Sequence, residues 1–177
     1  MKTTDTDRSG KVQIYTGDGK GKTTAALGLA MRASGHGIKS AVVRFLKSGT
    51  SGELDCGNPF ISYFTFGCDE MYRAGTSDFL KYRKFCSDAL EFIKSAVFRD
   101  GYSILICDEI LYACRFGLIS EEEIADLAEN RPASMEMVLT GNYLTPGIAD
   151  LADMISEISC VKHYFNTGIP ARKGVEF

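Results

Sequence analysis

The chain has no tryptophan, two histidines (His36 and His163) and four prolines among its 177 residues. Its six cysteines (Cys56, Cys68, Cys86, Cys107, Cys114 and Cys160) include no Cys-x-x-Cys pair. With the histidines also standing alone, the ligand spacing of a structural zinc site is missing. No apolar run approaches the ~20 residues that a membrane-spanning helix needs. There is no excess of positive charge: 20 basic and 23 acidic side chains leave a net charge of −3. That balance gives no pull toward nucleic acid or an anionic membrane. The first ten residues are polar, lack the apolar centre of a signal peptide, and are expected to be mobile. Thiols without disulfide spacing fit a cytoplasmic location.

What is present suits a globular protein. Hydrophobic residues make up 45% and charged residues 24%, enough to build one domain, expected over residues 11–177. Strand-like and helix-like segments alternate, which predicts an α/β fold around a mostly parallel sheet flanked by helices. Strands are expected at Lys11 to Tyr15, Ser40 to Leu46, Phe60 to Phe66, Ser103 to Cys107, Met135 to Thr140 and Met154 to Ile158. Helices are expected at Thr23 to Ser34, Ser77 to Arg99 and Pro146 to Leu151. A further helix runs to Asn130, opened by the capping box Ser120-Glu121-Glu122-Glu123. Phe79, Tyr82, Cys86, Leu90, Ile93 and Val97 form one apolar stripe on the long helix. Lys47 to Asn58, with three glycines, reads as a loop.

The strongest signal is Gly17-Asp18-Gly19-Lys20-Gly21-Lys22-Thr23-Thr24, which joins the first strand to the first helix. Its Gly-Lys-Thr ending is that of a phosphate-binding loop, although the pattern's first glycine falls on Thr16. Glycines let backbone N–H groups curl around a phosphate chain, and the helix adds its positive end. Lys22 would reach phosphoryl oxygens, and the Thr23 hydroxyl suits a ligand position on Mg²⁺. A second motif, Ser103 to Cys107 followed by Asp108-Glu109, is an apolar strand ending in two acids. Such a strand is expected beside the loop, with Asp108 and Glu109 in the metal region. The simpler reading is that Asp108 caps the next helix. Together the motifs predict ATP or GTP with Mg²⁺ as ligand. Spacing selects no catalytic base, so the residues alone do not fix the reaction.

Longer stretches add to this. Gly10 to Ala26, Leu27 to Ala33, Gly35-His36-Gly37, Ile106 to Ile110, Arg131-Pro132 and Val138 to Gly141 resemble segments of the phosphate-loop ATP:corrinoid adenosyltransferases. So do Val161 to Phe165, Gly168-Ile169 and Ala171 to Phe177. The resemblance implies a phosphate-loop NTPase-like (RecA-like) fold. It also implies transfer of the 5′-deoxyadenosyl group of ATP to the Co(I) of a reduced corrinoid, with release of triphosphate. The nucleophile is then the corrinoid, and the protein need not supply a catalytic serine, cysteine or histidine. A reductase supplying Co(I) and a homodimer are implied too. Two features depart from the family. Its Phe-Thr-Trp segment is here Phe64-Thr65-Phe66, which makes Phe64 and Phe66 candidates for the corrinoid-facing surface, with ordinary strand core the alternative for each. Its usual Arg after Thr140-Gly141 is Asn142. Lys162, Arg172 and Lys173 of the tail are candidates for a role near ATP. Two other readings share the loop: a nucleoside or small-molecule kinase, and a nucleotide-dependent corrinoid-binding module.

Overall fold

A computed structural model describes residues 9–48, 51–68, 70, 72 and 78–176. Most of the N-terminal segment expected to be mobile, together with Gly49, Ser77 and Phe177, lies outside the described residues. The remaining chain forms strands β1 (Val12–Thr16), β2 (Ser40–Phe45), β3 (Ile61–Phe66), β4 (Ile104–Asp108), β5 (Glu136–Thr140) and β6 (Met154–Glu157). Its α-helices are α1 (Lys22–Ser34), α2 (Phe79–Phe92), α3 (Ile110–Arg115), α4 (Glu121–Glu129) and α5 (Pro146–Ala149).

All strand pairs are parallel, in the order β3-β2-β4-β5-β1-β6. Parallel strands need crossover helices, which cover both faces of the sheet. Period-2 alternation divides the core accordingly. Val42, Ile106 and Val138 meet Ala26, Ala30 and Ala33 of α1, whose small side chains bring that helix close. Ala41, Val43, Phe45, Leu105, Cys107 and Leu139 point to the other face, where α2, α3 and α4 pack. This is the α/β fold, a parallel sheet flanked by helices, that the sequence predicts.

The expected acid strand is β4, but it does not lie beside the loop strand: β5 stands between β4 and β1. The long helix is α2, and its ladder changes pitch at Ile93–Val97, where a π-turn forms and the Phe98 amide bonds back to Ile93 O. The stripe Tyr82, Cys86, Leu90, Ile93 and Val97 is buried, whereas Phe79 at the helix start is exposed. Helix α3 follows the acid pair, where the sequence suggests a helix only through the capping reading of Asp108 and gives it no bounds, and a 3₁₀ turn at Gly52–Cys56 lies within the expected loop. Both are too short for periodicity to reveal.

Candidate functional site

The glycine-rich loop is built outward from β1. Thr16 is buried as the last residue of that strand, and its carbonyl accepts the Ile158 N–H at 2.9 Å. The turn therefore begins one residue later. Gly17 has φ +102°, and a Cβ there would lie 2.4 Å from the Ile158 carbonyl oxygen, so no side chain fits. This explains how Thr16 can stand where the pattern has glycine. Gly21, at φ 123°, is the N-cap of α1 and brings no side-chain cap. The first amides of a helix have no intrahelical partner, so an uncapped start faces an anion well. Lys22 Nζ donates to the carbonyls of Gly17 and Gly19, both at 2.8 Å, strapping the turn into a ring.

The alternate side chains of the turn go elsewhere. Asp18 Oδ1 accepts the Cys160 N–H at 2.9 Å. Lys20 Nζ donates to Tyr164 Oη and Val175 O, each at 3.0 Å, and to Glu176 Oε1 at 2.8 Å. Arg172 lies over the Tyr164 ring, 4.6 Å from its centroid, and also bonds Glu176. Lys20, Tyr164 and Arg172 hold the Glu176 carboxyl well below the usual carboxylate range. The tail is thus fastened to the loop through Glu176. Lys162 and Lys173 are exposed.

At the end of β4, Asp108 is fully buried. Its Oδ1 accepts the Thr23 hydroxyl at 2.7 Å and the Thr140 hydroxyl at 2.8 Å, while Oδ2 accepts Lys47 Nζ at 2.6 Å. Thr140 ends β5, so the intervening strand completes the link between loop and acid. Asp108 is not a helix cap: the N-cap of α3 is Glu109, which makes no capping bond. Leu46 (φ 59°) and Glu109 (φ 66°) are the non-glycine residues of positive φ among the described residues. They follow the neighbouring strands β2 and β4 directly, and such local strain concentrates at functional sites. Their turns bring Lys47 Nζ within 3.9 Å of Glu109 Oε1. Burial pushes the Glu109 carboxyl above its usual value; Asp108 adds to the rise, while Lys47 and Lys22 oppose it.

Thr23, Asp108 and Glu109 are hard oxygen donors that already surround one cation, the Lys47 ammonium. That donor set fits Mg²⁺, which binds through one or two carboxylates together with substrate phosphates.

Two cavities flank Leu46 and Lys47. One, of about 590 Å³, is lined by Thr23, Thr24, Arg44, Lys47, Glu53 and Glu176, among others. The other, of about 300 Å³, is lined by Lys22, Phe45, Tyr72, Glu109, Tyr112 and Asn142, together with Leu46 and Lys47. Asn142 Oδ1 accepts Arg115 Nη1 at 3.4 Å, so α3 brings a guanidinium beside the position that lacks one. Phe64 and Phe66 are not brought to the loop. Their rings pack against Phe92 of α2, at centroid distances of 4.6 and 5.6 Å, where they form part of the core. Lys47 and Thr140 are site residues that the sequence reading passes over. Their signal is positional: each stands at the C-terminal end of a buried parallel strand, where α/β sheets bind ligands.

Residues 8–177 match the family described as ATP:corrinoid adenosyltransferase BtuR/CobO/CobP. A corrinoid adenosyltransferase of Pseudomonas aeruginosa is 33% identical over 175 residues, which cover 97% of this chain and 85% of the relative. The Escherichia coli K12 corrinoid adenosyltransferase is 32% identical over 178 residues, covering 97% and 87% of the two chains. The corrinoid adenosyltransferase CobA of Salmonella typhimurium is 32% identical over 181 residues, with the same two coverages. The chain belongs to the ATP:corrinoid adenosyltransferase family.

Proposed function

We propose that this corrinoid adenosyltransferase holds the polyphosphate of ATP in the Gly17–Lys22 turn, with its ribose 5′ carbon turned toward a reduced corrinoid. In the reaction, Co(I) supplies an electron pair to the 5′ carbon and a cobalt–carbon bond forms. The bond from that carbon to the phosphate oxygen breaks, and triphosphate leaves with its electrons. Cobalt is formally oxidised to Co(III). The attacking group is the substrate itself, so the protein aligns the reactants and stabilises the leaving anion.

The observation that carries this reading is the site's distribution of charge. An uncapped helix start and the Lys22 ammonium stand on one side, and the Thr23–Asp108–Lys47 cluster closes the other. Oxyanions enter such a frame well, whereas no base is needed. Lys22 exchanges its two loop carbonyls for phosphoryl oxygens, and Thr24 lies at the cavity next to the turn. Thr23, Asp108 and Glu109 would hold Mg²⁺, which when bound neutralises charge on the polyphosphate. Lys47, which now pairs with Asp108 at 2.6 Å, would give up that carboxylate where a metal is held. The fastened tail, through Lys20 and Glu176, keeps the turn in shape.

The test is to incubate the protein with ATP, Mg²⁺ and chemically reduced corrinoid and identify both products. Inorganic triphosphate together with the absorption change of a new cobalt–carbon bond is the expected result. ADP would assign the protein to the kinases, and a bound but unaltered corrinoid would leave it a carrier. A reductase must deliver Co(I) at a potential that water tolerates poorly, so activity with ATP and an oxidised corrinoid alone should be negligible. By its family likeness the protein pairs as a homodimer, which light scattering checks; a monomer at assay concentrations would rule this out. No helix among the described residues is long and apolar enough to cross a membrane. A cytoplasmic location completes the proposal, and fractionation with a membrane pellet would contradict it.

A further inference from the structure

Arg44 is a buried cation that the transfer chemistry does not employ. It follows Val43 on β2, so its side chain leaves the sheet on the α1 face, opposite Val43 and Phe45. It is 4% exposed. Neither Nε nor Nη1 has a hydrogen-bond partner. The nearest carboxylate is that of Glu53, 3.9 Å from Nη2, which is beyond hydrogen-bond range. Glu53 is itself engaged, because the Ser51 hydroxyl bonds its other oxygen. A guanidinium keeps its proton at any ordinary pH, and a buried one met by a single carboxylate at 3.9 Å, with two nitrogens unbonded, opposes folding. A native fold that carries such an orphan lacks a partner it is built to meet.

The direction from which that partner comes is set by the surroundings. Arg44 lines the 590 Å³ cavity together with Thr23, Lys47 and Glu53. Sheet and α1 enclose its other sides. The cover on the cavity side is the 3₁₀ turn Gly52–Cys56, in which no residue is buried, so lifting it disturbs no core contact. Its neighbours Gly57 (φ 61°) and Ser51 (φ −166°) are an αL residue and an extended one, which bound the turn as a separable unit.

We propose that Arg44 anchors an oxyanion of a substrate in this cavity, taking it on the guanidinium fork when the Gly52–Cys56 turn lifts away and carries Glu53 with it. Planar, paired N–H donors match phosphate and carboxylate oxygens. The source of the oxyanion rests on the adenosyltransferase reading. It is either the polyphosphate of ATP or a peripheral carboxylate of the corrinoid.

Calorimetric titration of inorganic triphosphate into the wild-type protein and into Arg44→Met and Arg44→Lys, without corrinoid, is the first arm. The second compares KM for a corrinoid with free carboxylates against a fully amidated one. Triphosphate affinity about ten- to a hundredfold weaker in both variants assigns the polyphosphate. Unchanged triphosphate binding, with KM raised by that factor for the carboxylated corrinoid alone, assigns the carboxylate. Arg44→Met should also be no less stable than wild type in urea, since it removes a buried charge with two nitrogens unbonded. Unchanged affinity and unchanged KM in both arms overturn the inference. If Arg44→Met fails to fold, Arg44→Lys keeps the charge without the fork, and wild-type values for it overturn the inference equally. Triphosphate binding is read without any transfer step, so loss of binding in the variants stands even if the wild type proves to transfer no adenosyl group.

Discussion

Removing the charge of Asp108 tests the core of the site, and the structure sets the size of the effect. Asp108→Asn keeps the shape, so Oδ1 can still accept from Thr23 and Thr140. Its amide N–H₂ would then face Lys47 Nζ, donor against donor, where 2.6 Å now separates ammonium from carboxylate. Two hydroxyl bonds fall from charge-assisted to neutral strength, a loss of about 0.5–1 kcal/mol each. The Lys47 side chain is 29% exposed, so water screens it, and its lost pairing adds about 1 kcal/mol. The sum is roughly 2–3 kcal/mol. In a chain of this length 1 kcal/mol moves Tm by about 2–4 °C, so a fall of about 4–12 °C is expected. Lys47→Met alone should also destabilise, because it strands a buried carboxylate. In the double variant the losses should fall short of their sum by about 1 kcal/mol. Urea denaturation of all four proteins, without nucleotide or metal, completes the cycle. Strictly additive losses would show that Lys47 and Asp108 are not coupled, and the argument that Lys47 stands in the cation position would fail.

Lys22→Ala should remain folded while losing triphosphate binding by about tenfold or more; wild-type affinity in a calorimeter would remove Lys22 from the phosphate site. Gly17→Ala should lower Tm and abolish nucleotide binding, because its Cβ would meet the Ile158 carbonyl at 2.4 Å with φ at +102°; a stable variant that binds ATP normally would contradict the turn geometry. Deleting residues 168–177 should cut adenosyl transfer while preserving the far-ultraviolet dichroism, and wild-type turnover would refute a role for the tail. Glu176 is held below its unfolded value, so its contribution is fully present above the ordinary carboxylate pKa of about 4.3 and is lost as pH falls through the depressed value. Hydrogen exchange of the tail amides should therefore stay slow well below pH 4.3, and release of the tail near that pH would show that Glu176 is not its anchor.

The sheet was legible because β4 carries the continuous apolar run Ile104 to Cys107 and the long helix before it carries a 3.6-residue stripe, both outcomes of burial. The loop was legible because amide cradling of phosphate demands glycine at few positions. Strand order was not: β5 between β1 and β4 depends on crossovers that no local pattern encodes. Lys47 was hidden in a glycine-rich stretch, since its meaning comes from Leu46 turning it toward Asp108, 61 residues away. Phe64 and Phe66 pack against Phe92 of α2, which fits the strand-core setting that the sequence leaves open beside the corrinoid-facing one; a likeness in sequence does not choose between the two. Arg44 carries no signal in the sequence, since its want of partners is a property of the folded strand.

The place of β1 between β5 and β6 has a kinetic consequence. Its two neighbours in the sheet, β5 and β6, are the last strands of the chain, and Lys20 meets Tyr164 across 144 residues of sequence. Contacts of such separation form late, because closing the intervening chain is entropically expensive. During refolding, capture of triphosphate should therefore lag behind the appearance of helix signal and coincide with the slowest phase. A partly folded chain would sequester no ATP, and competence to bind would mark molecules that have finished folding.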